Sequence, residues 1–256
     1  MKLGHMTWYD VDARITAGAA ILLPIGSTEQ HGPMGRLGTD TICAEAVALA
    51  AAEICDAIVA PPLAYTPAPF NTSFPGTISV SPETFQTLAQ EVIAGLLAQG
   101  FTGVFAVNGH GANLAPLNQI ASTLASPKLQ IRSWWDPEPV NTLRNDLYGD
   151  WEGMHATPSE IAITQSLLGS LPVNQAAEPP EKLSQDYLRA HSGDRHGPPK
   201  EHRAAFPDGR VGSHSALATP QDGAKLLRVA AKAIAQEFSA FEAQSLAEPA
   251  DCERGE

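Results

Sequence analysis

Short, mostly apolar segments alternate along this chain with longer segments that have the length of helices. The apolar segments are residues 19–25 (AAILLPI), 57–63 (AIVAPPL), 103–107 (GVFAV) and 129–135 (LQIRSWW). Each has the length of a strand, and strands that are apolar on both faces are typical of sheets with helices on both sides. The alternation therefore predicts βαβ units and an α/β fold with a mostly parallel central sheet.

The segments between the strands carry residues that mark helix boundaries. Asp40 stands at a candidate N-cap position before an alanine-rich helix over 40–55. The Ser-Pro-Glu sequence at 81–83 supplies an N-cap, a first-turn proline and an early acid for a helix that ends at Gly100. Further helices are predicted over 114–124, 158–168 and 220 to about 241.

The chain length predicts the domain organisation. A chain of 256 residues accommodates one α/β domain, which we place at residues 1–242. Residues 184–215 are rich in Ser, Gly, Pro, His and Arg without clear periodicity, so a long lid loop is predicted there. Residues 243–256 are predicted to form an acidic C-terminal tail.

The composition argues against several classes of function. The chain has 16 Lys+Arg against 28 Asp+Glu, a net charge of −12, so nucleic acid is not an expected partner. Its apolar runs are shorter than the roughly 20 residues of a membrane helix, and its N-terminus lacks the apolar stretch of a signal peptide. Three widely spaced cysteines without a CxxC indicate a reducing compartment, so we predict a cytoplasmic protein.

Glu29, His31 and Asp40 follow the first predicted strand, in a loop rich in glycine and proline. Residues i and i+2 of an extended segment point the same way, about 6–7 Å apart, so Glu29 and His31 can converge on metal ions. Nitrogen and oxygen ligands with a bridging carboxylate suit zinc, manganese or iron. The spacing alone leaves open that these are solvated loop residues and a helix cap.

The sequence NGHGAN at 108–113 directly follows the third predicted strand. Polar side chains among small residues at a strand end indicate a binding site, with His110 as a candidate ligand. Gly109 and Gly111 allow a tight turn and expose backbone N–H groups that can hold an oxyanion. The alternative is an Asn-Gly turn with one exposed histidine.

His155 and Glu160 form a third cluster, at the start of the predicted helix over 158–168. The helix dipole favours an acid there anyway, so this cluster alone does not require a site. Glu29, Asp40 and Glu160 supply three negative charges against the four positive charges of two divalent ions. One bridging hydroxide cancels the remainder, and a dinuclear site lowers the pKa of that water. His155 is then free for proton transfer.

The remaining histidines and cysteines have no such context. Neither a GxSxG elbow nor a Walker loop is present, which argues against serine hydrolases and nucleoside-triphosphatases. Cys43 and Cys55 fall in the alanine-rich helix and are expected to pack there. Most histidines outside the clusters are expected at the surface, with His202 or His214 as candidate substrate contacts; the others are His5, His191 and His196.

In this order, the clusters resemble the creatininase (creatinine amidohydrolase) family. The matching stretches are PIGSTEQHGP with LGTD, then FPGTIS, NGHGAN and the block from His155 to Glu160. They span roughly residues 22–164 and continue weakly through GRVGSHSALATPQDG. The resemblance implies a three-layer α/β/α sandwich, a metal centre of two divalent ions (Zn, Mn or Fe) at the strand ends, and a homohexamer.

The resemblance also implies a role for each site residue. His155 and Glu160 match the histidine and the acid of the family's HAGxxE block and are expected to be catalytic. The ligands divide into two sets that share Asp40: Glu29, Asp40 and His110 for one ion, and His31, Asp40 and Glu160 for the other.

The chain departs from the family pattern near the site. Creatininases proper carry a Tyr-Glu pair after NGH, and its glutamate is a ligand; here Gly111 and Ala112 stand instead, which makes Glu160 the expected substitute. These glycine-type members resemble formamide deformylases and other amide hydrolases of the family. Arg36 replaces part of a family HLP motif, and its planar fork suits a carboxylate or a phosphate. The predicted substrate-binding residues are Arg36, Ser73, Gly109 and Gly111.

The prediction is a dinuclear metal-dependent amidohydrolase that cleaves a C–N bond of a small amide, cyclic amide or formamide through a metal-bridging hydroxide. A short-peptide peptidase or a sugar-ring hydrolase of the same family is the alternative among enzymes. Departures from the family motif at Thr157, Ile161 and Ala162 leave open a non-catalytic metal-binding protein. The expected partners are the small amide substrate and further copies of the chain.

Overall fold

A central sheet of parallel strands organises the protein, whose computed structural model describes residues 1–124 and 128–247. Within these ranges the strands are β1 (Ile21–Ile25), β2 (Ile58–Val59), β3 (Val104–Asn108) and β4 (Leu129–Ser133). Their order in the sheet is β2-β1-β3-β4, and every pairing is parallel. The predicted parallel sheet is confirmed, and the strands that precede the first two site clusters, β1 and β3, are neighbours.

β2 is much shorter than the predicted strand over 57–63. Pro61 and Pro62 have no backbone N–H to donate, so regular pairing cannot continue through them. The chain returns to β1 only at Leu63, whose N–H donates to the carbonyl of Pro24 at 3.0 Å. β4 also ends before the two tryptophans that the sequence had included in it.

Helices flank the sheet. In the described part of the chain they are α1 (Trp8–Thr16), α2 (Thr39–Cys55), α3 (Pro82–Ala98), α4 (Leu114–Thr123), α5 (Glu138–Tyr148), α6 (Pro158–Leu168), α7 (Gln185–Ala190), α8 (Pro199–Ala205) and α9 (Pro220–Ala247). The sequence did not predict α1, α5, α7 and α8. The last two fall in the segment 184–215, which is therefore not one long loop; they are too short to show a period. None of the described helices combines the length and the apolarity needed to cross a bilayer.

Each face of the sheet carries a helical layer. Side chains alternate between the two faces along a strand. Leu22 and Phe105 point into one core, which they share with residues of α2, α5, α6 and α9. Ile21 and Val104 point into a second core, shared with α3 and α4. The domain is therefore the predicted three-layer α/β/α sandwich.

The helix starts agree with the sequence prediction at α3 and differ at α2. Ser81 caps α3, and its hydroxyl accepts a hydrogen bond from the N–H of Thr84 at 3.1 Å. The predicted N-cap at Asp40 is wrong, because α2 begins at Thr39 after Gly38 and Asp40 lies inside the first turn. Its carboxylate contacts two imidazoles instead of the helix backbone.

α9 continues beyond the predicted end near residue 241. Phe241 and Ser245 are both buried. A Cβ on Gly103 would lie 2.5 Å from the ring of Phe241 and 2.9 Å from the Ser245 hydroxyl, so the missing side chain lets α9 pack closely there. This packing explains why the helix extends to Ala247, into the predicted tail over 243–256. Residues 248–256 of that tail lie outside the described residues.

Candidate metal centre

The three sequence clusters meet at one edge of the sheet. Glu29 and His31 follow β1, and His110 follows the neighbouring strand β3. The carboxyl ends of adjacent parallel strands lie side by side, which is where sites form in such sheets. Asp40 comes from the first turn of α2 and Glu160 from the first turn of α6. All five residues are buried.

A tight loop returns the chain from β1 to α2. The N–H of Glu29 donates to the carbonyl of Leu37 at 2.8 Å. A Cβ on Gly35 would lie 2.1 Å from the carbonyl oxygen of His31, so this approach requires a glycine. The loop thereby brings Asp40 back to the His31 side chain, although nine residues separate them.

Asp40 lies between two imidazoles. Its Oδ1 is 2.8 Å from Nε2 of His31, and its Oδ2 is 3.2 Å from Nδ1 of His110. The opposite nitrogen of each ring faces a backbone carbonyl, which can only accept: His31 Nδ1 donates to Glu29 at 3.1 Å, and His110 Nε2 donates to Pro67 at 2.8 Å. When a bound ion replaces the second ring proton, each ring therefore points its lone pair toward Asp40, as metal-binding histidines do.

The cluster places acceptors against acceptors. Glu29 Oε1 lies 3.0 Å from Nδ1 of His110, and Glu160 Oε1 lies 3.9 Å from Nε2 of His31. Among the described residues, the buried atoms Glu29 Oε1 and Asp40 Oδ2 have no hydrogen-bond partner. Protons or cations must fill such a space, because unpaired buried charges are costly. Two sets of residues each bring three ligand atoms within 4.8 Å of one another, and each set fits one metal ion. The sets are Glu29, Asp40 and His110, and His31, Asp40 and Glu160.

The pKa values follow from the same arrangement. Burial alone lowers the pKa of His31, but the carboxylates of Asp40, Glu160 and Glu29 outweigh it and raise that pKa to about 10. For His110, burial again lowers the pKa, and the carboxylates raise it well above its usual range. Burial raises the pKa of Glu160 to about 7. Without ions the cluster therefore retains protons, which bound divalent ions displace.

His155 lies beside this cluster. Its Nε2 donates to the carbonyl of Gln30 at 2.6 Å, which leaves Nδ1 free, 3.8 Å from Glu29 Oε1. Burial lowers the pKa of His155, so the ring is neutral at neutral pH. A third group of ligand atoms within 4.8 Å combines His155 with Glu29 and His31. The geometry thus allows His155 to carry a proton or to bind an ion.

Asn71 belongs to the site and was missed by the sequence analysis. Its Nδ2 donates to Glu29 Oε2 at 2.7 Å, and its Oδ1 accepts from Gln30 at 2.9 Å. The residue ends a short 3₁₀ turn, Pro69–Asn71. An asparagine in a loop gives no sequence signal of its own; only its contact with Glu29 shows what it does.

Residues of the segment 184–215 also reach the site. Asp194 Oδ2 lies 3.6 Å from Nδ1 of His110, although the sequence analysis did not select Asp194. The side chain of His196 is 1% exposed, so its expected surface position is wrong. His202, a candidate substrate contact, is buried beside it. They pack against Phe70, whose ring lies 4.8 Å from His196 and 5.2 Å from His202.

A cavity of about 300 Å³ opens over the cluster. Gly109 and Gly111 line it, whereas Arg36 and Ser73 are not among its lining residues. Arg36 instead donates to the carbonyl of Leu168 at 3.1 Å. The other lining residues are Asp40, His110, Trp134, Trp135, Arg144, Gly153, Met154, His155, Thr157, Glu160, Leu188, Ser192, Gly193 and Asp194.

Some backbone N–H groups of the NGHGAN segment already donate hydrogen bonds within the protein. The N–H of Gly109 donates to the carbonyl of Ile25 at 2.8 Å, and the N–H of Ala112 donates to Asp194 Oδ2 at 3.1 Å. The Gly109 amide is therefore not available for an oxyanion, contrary to the sequence prediction. It serves to join the ends of β1 and β3.

Known proteins share this sequence pattern and this fold. The family model described as "Creatininase: Creatinine amidohydrolase" matches residues 4–238. The creatinine amidohydrolase of Pseudomonas putida is 28% identical over 188 residues, which are 66% of this chain and 72% of that protein. The mycofactocin precursor peptide peptidase of Mycolicibacterium smegmatis is 42% identical over 104 residues, which are 38% of this chain and 41% of the peptidase.

A solved structure extends the likeness to nearly the whole chain. The crystal structure of a creatinine amidohydrolase (creatininase) superposes with a TM-score of 0.75 at 22% identity. The superposition covers 93% of this chain and 96% of the other. It shows that the two proteins share one fold.

Proposed function

The chain belongs to the creatininase family, and from this we propose that it is a dinuclear metal-dependent amidohydrolase. The proposed reaction is the hydrolysis of a C–N bond in a small amide, cyclic amide or formamide. The observation that carries the proposal is the position of Asp40, whose two carboxylate oxygens each contact the imidazole of a different ligand set.

The donor set fits the chemistry of hydrolytic metal centres. Two carboxylates and one imidazole form each set, a mixture that suits zinc, manganese or iron. Asp40 belongs to both sets, so it would serve both ions. Bound there, the ions would supply Lewis acidity and make a water nucleophilic at neutral pH.

His155 is the proposed proton carrier. The Gln30 carbonyl fixes the ring, so that Nδ1 keeps its lone pair beside the cluster. In this position Nδ1 takes a proton from the attacking water and delivers it to the leaving nitrogen. Asn71 acts through Glu29, because its N–H holds one carboxylate oxygen and leaves the other directed at His110.

The cavity supports a small and uncharged substrate. Its volume of about 300 Å³ is at the lower end of small-molecule sites. Trp134 and Trp135 supply apolar walls. The charge of Arg144 is paired with Glu152 at 2.9 Å, which leaves no free cation among the described lining residues to bind a carboxylate. A neutral amide fits this lining better than an anionic compound.

Metal removal and a substrate panel test the function. The protein is stripped with a chelator, reloaded with zinc, manganese or iron, and assayed on formamides, lactams, lactones and short peptides. We expect turnover of small amides or formamides that disappears with the metal and returns on reloading. Two bound ions without turnover of any compound would favour the non-catalytic metal-binding protein. Undiminished turnover after complete metal removal would contradict the proposal.

The variant His155→Gln separates a proton carrier from a metal ligand. We expect it to keep two ions and to lose about 10²- to 10⁴-fold in kcat, the usual contribution of a positioned acid or base. Metal content and steady-state kinetics measure the two effects. His5→Gln, a change at an exposed histidine in the N-terminal turn, serves as the control. Loss of an ion in His155→Gln would contradict the proton-carrier role.

A short-peptide peptidase is the second candidate. The 42% identity to the mycofactocin precursor peptide peptidase over 104 residues favours it. That peptidase acts on a peptide, and such a substrate must extend beyond a cavity of about 300 Å³. Faster cleavage of short peptides than of every amide in the panel would select this candidate.

The assembly, the location and the domain limits stay predictions. We propose a cytoplasmic homohexamer of single domains over residues 1–242. Light scattering of the purified protein checks the assembly, since it should give the mass of six chains. A monomer at working concentration would contradict the hexamer and would leave the metal centre, which one chain supplies, unaffected.

A further inference from the structure

We propose that Asp194 is a further carboxylate ligand of the ion held by Glu29, Asp40 and His110. The inference rests on the metal centre of the proposed function and is independent of the substrate. It assigns a chemical role to the segment 184–215, which carries Asp194 into the site from 84 residues beyond His110.

Three carboxylates surround one imidazole nitrogen. Nδ1 of His110 lies 3.0 Å from Glu29 Oε1, 3.2 Å from Asp40 Oδ2 and 3.6 Å from Asp194 Oδ2. Two of these oxygens, Glu29 Oε1 and Asp40 Oδ2, are buried and have no hydrogen-bond partner among the described residues. The Asp194 side chain is 10% exposed and lines the cavity, so it lies on the open side of this ligand set.

The backbone conformation at Gly111 and at Asp194 allows the carboxylate to lie close to His110. A Cβ on Gly111 would lie 2.4 Å from Asp194 Oδ2, so only glycine leaves room for the carboxylate. Its Oδ2 also accepts from the N–H of Ala112 at 3.1 Å. Asp194 itself has φ +54°, a left-handed conformation that side chains rarely adopt, directly after Gly193 at φ +74°.

His196 lies on the other side of the carboxylate. Its Nε2 lies 3.7 Å from Asp194 Oδ1, and neither of its ring nitrogens has a hydrogen-bond partner among the residues described. The ring is packed against Phe70 and His202. The buried imidazole therefore faces the one oxygen of Asp194 that does not point at His110.

Asp194 also changes the balance between the charges of the carboxylates and those of the two ions. Glu29, Asp40, Glu160 and Asp194 supply four negative charges, which equal the four positive charges of two divalent ions. The count from the sequence had only three, because nothing in the local pattern marks Asp194. With the fourth carboxylate the centre is neutral before any anion joins it, which favours ion retention in a buried site.

The variant Asp194→Asn tests the assignment by metal binding rather than by activity. Equilibrium dialysis against graded metal concentrations, followed by elemental analysis, should show one ion held as in the unaltered protein. The affinity for the second ion should fall by at least about tenfold, since even indirect partners of metal ligands contribute about 10- to 100-fold. Asp186→Asn is the matched control, because Asp186 lies in the same segment with a side chain that is 90% exposed.

The variant Gly111→Ala should weaken binding of the second ion by a different change. The added methyl group displaces the Asp194 carboxylate and leaves the other ligands unchanged, so we expect the same weakened second ion. The double variant should bind the second ion no more weakly than either single variant does, because both changes remove the same contact between Asp194 and the ion.

The outcomes separate this inference from the function. Two ions bound with unchanged affinity in both Asp194→Asn and Gly111→Ala would overturn it, and so would equal loss of both ions in Asp194→Asn. An unaltered protein that binds no divalent ion would overturn the metal centre itself. An unaltered protein with two ions but no turnover would remove the proposed reaction and leave the role of Asp194 intact.

Discussion

Replacing Asp40 by asparagine should remove both metal ions and lower the rate of amide hydrolysis by about a thousandfold or more. The two oxygens of Asp40 serve the two ligand sets at once, 2.8 Å from His31 and 3.2 Å from His110. An amide has one oxygen and no charge, so it cannot bridge two cations as a carboxylate does. A thousandfold loss corresponds to about 4 kcal/mol of transition-state stabilisation, which is reasonable for the loss of two Lewis acids.

Metal analysis and kinetics on the same preparations measure this effect. Asp10→Asn is a matched control, because Asp10 also lies in the first turn of a helix and is exposed, far from the site in sequence. The control should keep two ions and the full rate. A preparation of Asp40→Asn that still held both ions and turned over normally would show that Asp40 is not the bridging ligand.

Replacing Gly223 by alanine should lower the free energy of unfolding by about 3 kcal/mol or more. Gly223 lies in the first turns of α9, and a Cβ there would fall 1.8 Å from the carbonyl oxygen of Ala162 in α6. The obstacle is backbone, which cannot rotate away, so the two helices must separate and their packing is lost. For a chain of this size the loss corresponds to a decrease in Tm of about 6–12 °C.

The same change should disturb the metal centre, because α6 carries Glu160 in its first turn. Thermal unfolding and metal analysis measure the two effects. Gly95→Ala is the control: Gly95 lies in α3, and outside its own helix turns no atom of the described residues lies within 4 Å of an added Cβ. That change should raise the free energy of unfolding by up to about 1 kcal/mol, since alanine is the better helix former. Equal melting temperatures for Gly223→Ala and the unaltered protein would contradict the close packing.

The sequence predicted the sheet and much of the site because both depend on local patterns. Apolar segments of strand length identified β1 and β3, and the polar residues directly after them, Glu29, His31 and His110, had to meet at one edge of a parallel sheet. Asp40 was selected as a ligand because the loop between it and His31, rich in glycine and proline, can fold back. Its assignment as a helix cap failed, because an acid in a first turn has the same local appearance in both roles.

Contacts across long stretches of chain were not predictable in this way. Asn71 and Asp194 have no motif, and their partners, Glu29 and His110, lie 42 and 84 residues away. The substrate role of Arg36 stays a prediction: its guanidinium suits an anion, and the fold places one of its nitrogens against the carbonyl of Leu168. Short helices such as α7 fail to show a period and were missed.

The amino-acid order by itself determined the alternation of strands and helices and the types of side chain at the strand ends, because both are properties of neighbours along the chain. The tertiary structure alone decided that Asp194 lies over Gly111 and that His196 is buried behind it. These positions result from the packing of a segment with no periodicity of its own. Such packing depends on the shape of the whole domain, and no local pattern encodes it.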